Sequence, residues 1–351
     1  MQSPNPYPPS PGQSPQQMAA PPRRSRTGLF VALFLLFGLL LLGVLGSLAL
    51  FSLLKMTSAS TGTNRLAERR ISGTGTARIA RIDVDGVILQ RIVSPFSTSV
   101  ASAELVIEKL RTAAADQTVE AVLLRVDSPG GGVTASDRIH QEVARLRKKK
   151  KVAVLMGDTA ASGGYYLSVA ADRIFAHPTT VTGSIGVIMT TLNIHEAAKE
   201  IGVHSVVVKS AERKDLLSPF KPLEEIEQDK VVYQKVIEHL YDRFTRLVSE
   251  GRGLSLESVK QLADGSVYNA QTALRSKLID AIGYEVEALD WLKAQIKKDD
   301  VTLFEYVRPG GVFSRLLNES RFGVGRGSAP EQLFPWWPLR SRPAYLWLPG
   351  I

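Results

Sequence analysis

The longest apolar stretch comes early. From Gly28 to Leu54 the chain carries no charged residue, and Lys55 closes the run. About 20 apolar residues cross a bilayer, so this stretch predicts one transmembrane helix over 28–54. The apolar region of a cleavable signal peptide is only about 7–15 residues long, which argues for a retained anchor. Arg23, Arg24 and Arg26 lie closest to the span and favour an inside N-terminus, although Arg65, Arg69 and Arg70 follow on the other side. Residues 1–27 are rich in Pro, Gln and Ser and predict a disordered cytoplasmic tail, and 55–76 reads as a Ser/Thr/Gly linker.

From Ala77 to about Asp300 short apolar runs alternate with amphipathic segments. Ile79–Asp85, Ala121–Val126 and Val152–Met156 read as strands. Ala101–Ala113, Thr134–Arg147 and Ser162–Ala171 read as helices between and after them. This alternation implies an α/β domain with a parallel sheet covered by helices. A long amphipathic helix is expected over Leu223–Glu250, starting at Pro222. Shorter ones are expected over Leu256–Ala263, Ala270–Ser276 and Val286–Lys297. Residues 301–351 form a C-terminal tail. Within it, Pro343-Ala-Tyr-Leu-Trp-Leu-Pro349 is apolar, held extended by its prolines, and looks like a peptide substrate. It is expected either to lie in a substrate groove and be trimmed there, or to remain a disordered or membrane-surface tail.

Composition removes some chemistry. The 351 residues include no cysteine, which excludes disulfides, thiolate catalysis and cysteine metal sites. Net charge is +9, and part of the excess sits in Arg145, Arg147 and Lys148–Lys151 at a predicted helix C-terminus, where cations complement the dipole. No nucleic-acid motif accompanies them, so no nucleic-acid partner is expected, and no metal or cofactor is implied.

Two segments carry candidate chemistry. Met156-Gly-Asp-Thr-Ala-Ala-Ser-Gly-Gly-Tyr-Tyr166 runs from a strand through small residues into a helix, with Ser162 at the turn. A serine nucleophile needs such a turn, because small neighbours let a carbonyl approach. A serine that merely caps the helix would look the same. Arg125-Val-Asp-Ser-Pro-Gly-Gly-Gly132 follows a buried strand, and its glycine N–H groups could form an oxyanion hole. Without the Lys-Ser/Thr continuation of a P-loop, phosphate binding is the weaker reading, and a plain turn is the bland one.

A serine needs a base. His140, His177, His195, His204 and His239 sit in no triad-like context. A lysine serves if it can lose its proton, which burial makes easier by up to about 3–5 pK units. Lys214, in the Val206–Pro219 loop expected to follow an apolar strand, is one candidate among many lysines, and a surface-loop lysine is its ordinary reading.

At these residues the sequence resembles the signal peptide peptidase A family, bacterial membrane-bound peptidases with a Ser/Lys dyad. The matching segments are Ser128–Gly132, Ala160–Asp172, Thr182–Val187, Lys209–Pro219 and Gly251–Gly283. The resemblance implies Ser162 as nucleophile and Lys214 as base. It also implies Ser184 as the hydroxyl that holds the lysine and Gly131 as an oxyanion-hole donor, with Gly130, Gly132 and Gly163 along the substrate groove. It further implies the ClpP/crotonase-like fold of parallel ββα units, and octamers whose active sites are shared between neighbouring subunits. The implied activity is hydrolysis of remnant signal peptides and other apolar peptides at the plasma membrane, with the catalytic domain on the extracytoplasmic side of the lipid bilayer. Asp127 stands where relatives often carry Asn, which could alter the charge beside the oxyanion loop. A crotonase-like acyl-CoA-processing enzyme and a non-catalytic membrane scaffold are the competing readings.

Overall fold

The computed structural model describes residues 35–43, 47, 66–91, 100–308 and 344–346. The chain divides into two compact units, Met1–Thr63 and Asn64–Ile351. In the first, residues 35–43 are helical, with Leu35–Phe37 and Leu39–Leu42 exposed. Among the described residues no helix is long and apolar enough to cross a membrane, and the rest of the 28–54 span lies outside them.

The second unit is built on a sheet of order β1-β12-β2-β5-β7-β8-β11. Its strands are β1 (Ala67–Ser72), β2 (Ala77–Asp85), β5 (Val119–Ser128), β7 (Lys151–Ala161), β8 (Arg173–Ala176), β11 (Ala281–Ile282) and β12 (Val301–Val307). β12, β2, β5, β7, β8 and β11 run parallel, and β1 is antiparallel at the edge. Short strands β9 (Val181–Gly183) and β10 (Val267–Asn269) extend it beside the C-terminal end of β7. The sheet therefore reaches beyond 77–300 on both sides: β1 forms inside the expected linker, and β12 lies past Asp300.

Both faces of the central strands are apolar, as a buried parallel sheet requires. Alternate residues serve two cores. Ala80, Ile82, Val84, Val122, Leu124, Val126, Val154 and Met156 face α1 (Ala103–Ala115), α2 (Val133–Arg147), α3 (Gly163–Ser168) and α4 (Leu223–Arg252). Ile79, Ala121, Leu123, Ala153 and Leu155 face Ala288 and Leu292 of the C-terminal helix Glu285–Ile296. A second sheet, of order β13-β6-β3-β4, stands over the C-terminal ends of these strands. It comprises β3 (Val87–Leu89), β4 (Val100–Ser102), β6 (Gly130–Gly132) and β13 (Ala344–Leu346). In two successive units a long strand of the main sheet is followed by a short strand of the second sheet and then a helix: β2-β3 before α1, with β4 intervening, and β5-β6-α2.

One buried base is structural. His140 of α2 is buried, and its ring meets Tyr166 edge-on at 5.4 Å. Burial pushes the imidazole down to about 4, against the pull of Asp137 and with the help of Arg243. Between pH 6.5 and 4 the unfolded chain therefore takes up a proton that the native state refuses, so stability falls as pH falls through that window. The loss amounts to about 3 kcal/mol at its low end. Urea midpoints measured at pH 7 and pH 4.5 should fall less for His140→Leu than for the wild type.

Candidate active site

The turn after β7 separates the two readings of Ser162. The side chain makes no capping hydrogen bond to α3, and the residue adopts φ 51° and ψ −112°. A left-handed non-glycine residue, buried to 1% exposure, is a strained conformation that the surroundings must hold. They do so through the backbone. The Ser162 N–H donates to the Gly183 carbonyl (2.8 Å), and the Ser162 carbonyl accepts the Tyr166 N–H (2.8 Å). This is the geometry of a nucleophile on a sharp strand-to-helix turn, not that of a cap.

The helix behind the serine is pinned from several sides. The Tyr165 hydroxyl donates to the Leu278 carbonyl (2.9 Å). The Tyr166 hydroxyl donates to Asp137 Oδ1 (2.7 Å), which also takes two hydrogen bonds from the Arg243 guanidinium (3.0 and 2.6 Å).

The glycine loop is set against this turn. Ser128, wholly buried at the end of β5, donates its hydroxyl to the Gly86 carbonyl (2.6 Å) and accepts the Gly130 N–H (3.1 Å). A Ser followed by Pro-Gly is a turn signal legible in sequence, though this stapling role was not read from it. Gly131 lies in register with Ile88 of β3, and a Cβ there would sit 2.1 Å from the Ile88 carbonyl oxygen. A Cβ on Gly163 would lie 2.5 Å from Ser136 Oγ and 3.1 Å from both Gly130 Cα and the Gly131 nitrogen. Gly131 and Gly163 thus bring two backbone segments into direct contact beside Ser162.

Ser184 comes from the next strand. β7 and β9 are parallel, with Ala161 opposite Gly183, so Ser162 and Ser184 are the next residues out of register-paired neighbours. Ser184 is buried, has φ 49°, and its N–H donates to the Ser266 carbonyl (2.7 Å). Ser162, Gly130, Gly131, Gly132, Gly163 and Ser184 are thereby gathered at one end of the sheet.

Lys214 stands apart. It belongs to a short 3₁₀ turn, Glu212–Asp215, and is exposed; among the described residues its ammonium has no hydrogen bond or ion pair. The apolar strand expected before it does not form. Residues 203–209 pair with no strand, and Val206 and Val208 are 89% and 97% exposed. Apolar β-branched residues make a strand only where a neighbour offers its edge, and among the described residues none does so there. No histidine replaces the lysine: among the described residues none is hydrogen-bonded to Ser162, and His177 stacks beside Tyr284 while His195 bonds the Phe220 carbonyl. Asp127 is engaged by neighbours on β5 and β7. It accepts the Thr159 N–H (3.1 Å) and pairs with Arg125 (3.4 Å), so its charge serves the β5–β7 contact.

The last strand fills the groove. Residues Ala344–Leu346 add antiparallel to β6, with Ala344 opposite Gly132, Tyr345 opposite Gly131 and Leu346 opposite Gly130. An extended peptide therefore fits alongside the glycine loop by strand addition.

The closeness of the two glycine segments can be tested. Gly163→Ala should slow acylation of Ser162 by a fluorophosphonate about 100-fold, the scale of losing one oxyanion donor. An unchanged labelling rate, followed by intact mass, would count against the contact.

The model of peptidase family S49 matches residues 144–299. A protein of Enterococcus faecium that bears the name signal peptide peptidase SppA is 39% identical over 249 residues, covering 70% of this chain and 72% of that protein. Protease 4 of Haemophilus influenzae is 38% identical over 74% of this chain but only 42% of its own length, so this chain spans under half of that longer relative. A Synechocystis sp. protein named as a protease is 34% identical over 68% of this chain and 82% of its own. Among solved structures, a ClpP1 mutant from Listeria monocytogenes aligns with a TM-score of 0.39 and 21% identity, covering 61% of this chain and 95% of that one. With relatives matched over most of their length and a serine held on a strained strand-to-helix turn, this chain belongs to peptidase family S49, the signal peptide peptidase A family of serine peptidases.

Proposed function

We propose that the protein is a membrane-anchored endopeptidase that cuts remnant signal peptides and other apolar peptides through a Ser162/Lys214 dyad. The observation that carries this reading is the antiparallel addition of Ala344–Leu346 to Gly130–Gly132, in the loop packed against Gly163. It is the arrangement an extended peptide would adopt with its carbonyls near Ser162. In this reading the Ser162 hydroxyl attacks the scissile carbonyl while neutral Lys214 accepts its proton. The Gly131 and Gly163 N–H groups hold the oxyanion, and the protonated lysine then gives its proton to the leaving amine. Water attacks the acyl-enzyme, the lysine again taking a proton, and releases the acid. Ser184, next to the nucleophile across the β7–β9 pair, would orient the lysine.

A second copy would complete the dyad. The arm that bears Lys214 exposes Ile188, Leu192, Ile194, Ile201, Val203 and Val206–Val208, a band of apolar surface out of keeping with a solitary chain. Burying it against a neighbour would carry a lysine out of water, where it sheds its proton more readily. We therefore propose a homo-oligomer, an octamer by resemblance, with sites shared between subunits. The ββα order supports the ClpP/crotonase-like fold for each subunit. The 28–54 span would anchor the assembly in the plasma membrane with its peptidase domain outside, where apolar peptides are released into the lipid bilayer.

Ser162→Ala and Lys214→Ala should each abolish cleavage of apolar peptides, and mixing the two inactive proteins under subunit exchange should restore part of it. Cleavage that survives in purified Ser162→Ala protein would reject the mechanism. Failure of the mixture to recover would reject the shared site. Intact masses should also differ: the wild type is expected to trim its own Pro343–Pro349 segment, and Ser162→Ala to keep it. Identical C-termini in both would refute self-processing.

A further inference from the structure

The arm around Lys214 has little core of its own. Between Ile188 and Val236 the buried apolar residues are Ala198 and Ile226. Yet the turn that carries Lys214 is tied down by charged side chains. Lys209 Nζ donates to both oxygens of Asp215 (2.9 Å each) and to the Glu212 carbonyl (2.8 Å). Lys221 Nζ reaches the same carboxylate at 3.4 Å and Asp229 Oδ2 at 2.9 Å, with Glu225 at 3.9 Å. Asp229, in the second turn of α4, also accepts the Leu217 N–H (2.9 Å). Leu217 is left-handed, with φ 55°, a conformation that a leucine keeps only when something holds it.

The signs alternate along this chain of contacts: Lys209, Asp215, Lys221, Asp229. Three of the four side chains are only 12–14% exposed, so the network is not a set of dangling surface pairs. Isolated surface pairs are worth little, but a network with shared partners fixes geometry. It brackets Lys214 on both sides, through Glu212 and Asp215 of its own turn and through Leu217 beyond it. It also occupies Asp215, the carboxylate nearest Lys214 in sequence. The Lys209 hydrogen bond keeps that carboxyl below its usual range, hence charged and already paired. A free Asp215 would be available to hold the neighbouring ammonium protonated.

We propose that the Lys209–Asp215–Lys221–Asp229 network positions Lys214, fixing the 212–217 turn and withholding Asp215 from the catalytic ammonium. The proposal rests on Lys214 being the base. Its four members are positioning residues: they act through Lys214, and the groove that binds peptide is β6, on another part of the fold.

The test uses the full-length, membrane-embedded assembly with an apolar reporter peptide. Lys221→Met and Asp229→Asn are expected to lower kcat about 10- to 100-fold, the scale of a misplaced catalytic group, with KM changed less than about twofold. Lys221→Arg and Asp229→Glu should recover most of the lost kcat. Thermal midpoint and subunit number should match the wild type in all four. A rise in KM with kcat unchanged overturns the proposal. So does an activity loss that tracks lost assembly or stability, or charge-conserving variants as impaired as the neutral ones. Lys214→Ala is measured alongside. If it still cleaves, the base assignment itself has failed. If it is inactive while Lys221→Met and Asp229→Asn work at full rate, the positioning network alone has failed.

Discussion

The whole site depends on two backbone segments touching with no side chain between them. Gly163, the residue after Ser162, lies against Gly130 and Gly131, and a methyl group there would meet Ser136 Oγ at 2.5 Å and both glycines at 3.1 Å. That contact exists because β5 and β7 are parallel neighbours whose C-terminal ends release their loops on the same side of the sheet. Ser128 then folds the first loop back by bonding both Gly86 and Gly130, while Gly183 holds the Ser162 N–H and stabilises the left-handed turn. Local strain at Ser162 is thus supported by long-range sheet register. A serine in this state is held off the helix it would otherwise cap, with its hydroxyl left for other chemistry.

The Lys214 arm follows a different logic. The sheet, its helices and the glycine loops are complete within one chain and buried. The arm is stitched by charges and shows its apolar side to solvent. A segment ordered by polar bonds can hold its shape before it meets a partner, so little further ordering would be needed when it docks. In the dyad proposed above, this division would let Ser162 be placed by folding and Lys214 be delivered by association.

Much of the body was legible in the sequence. The runs Ile79–Asp85, Ala121–Val126 and Val152–Met156 are dense in Val, Ile and Leu and bounded by polar or glycine residues, and each became a central parallel strand. The helices over 134–147, 223–250 and 286–297 were marked by their apolar spacing and appear within two residues of it. The short strands were not. β3, β6 and β8–β11 have two to four residues each, too few for a period, and exist because distant partners lie alongside. β1 was hidden for the opposite reason: Ala67-Glu-Arg-Arg-Ile-Ser72 is an edge strand with a wet face, and its charges resembled a linker. At the site, small residues marked the two turns that hold Ser162 and the glycines, but they left a helix cap and a plain turn open, and the roles came from the resemblance. The strain at Ser162, the Gly183 carbonyl and the bracketing of Lys214 could not be found there, because they depend on register and on pairings tens of residues apart.

β1 and β12 carry one more implication. They are antiparallel neighbours, with Ala67 opposite Val307, so the main sheet begins and ends at a single corner, its first and last paired residues only about 5 Å apart. Bodies closed in this way tolerate being re-cut and rejoined, because the strand order in space does not depend on where the polypeptide starts. The chain enters the main sheet and leaves it at that one corner. The order of the central strands is therefore set by their pairing and not by where the first of them joins the chain.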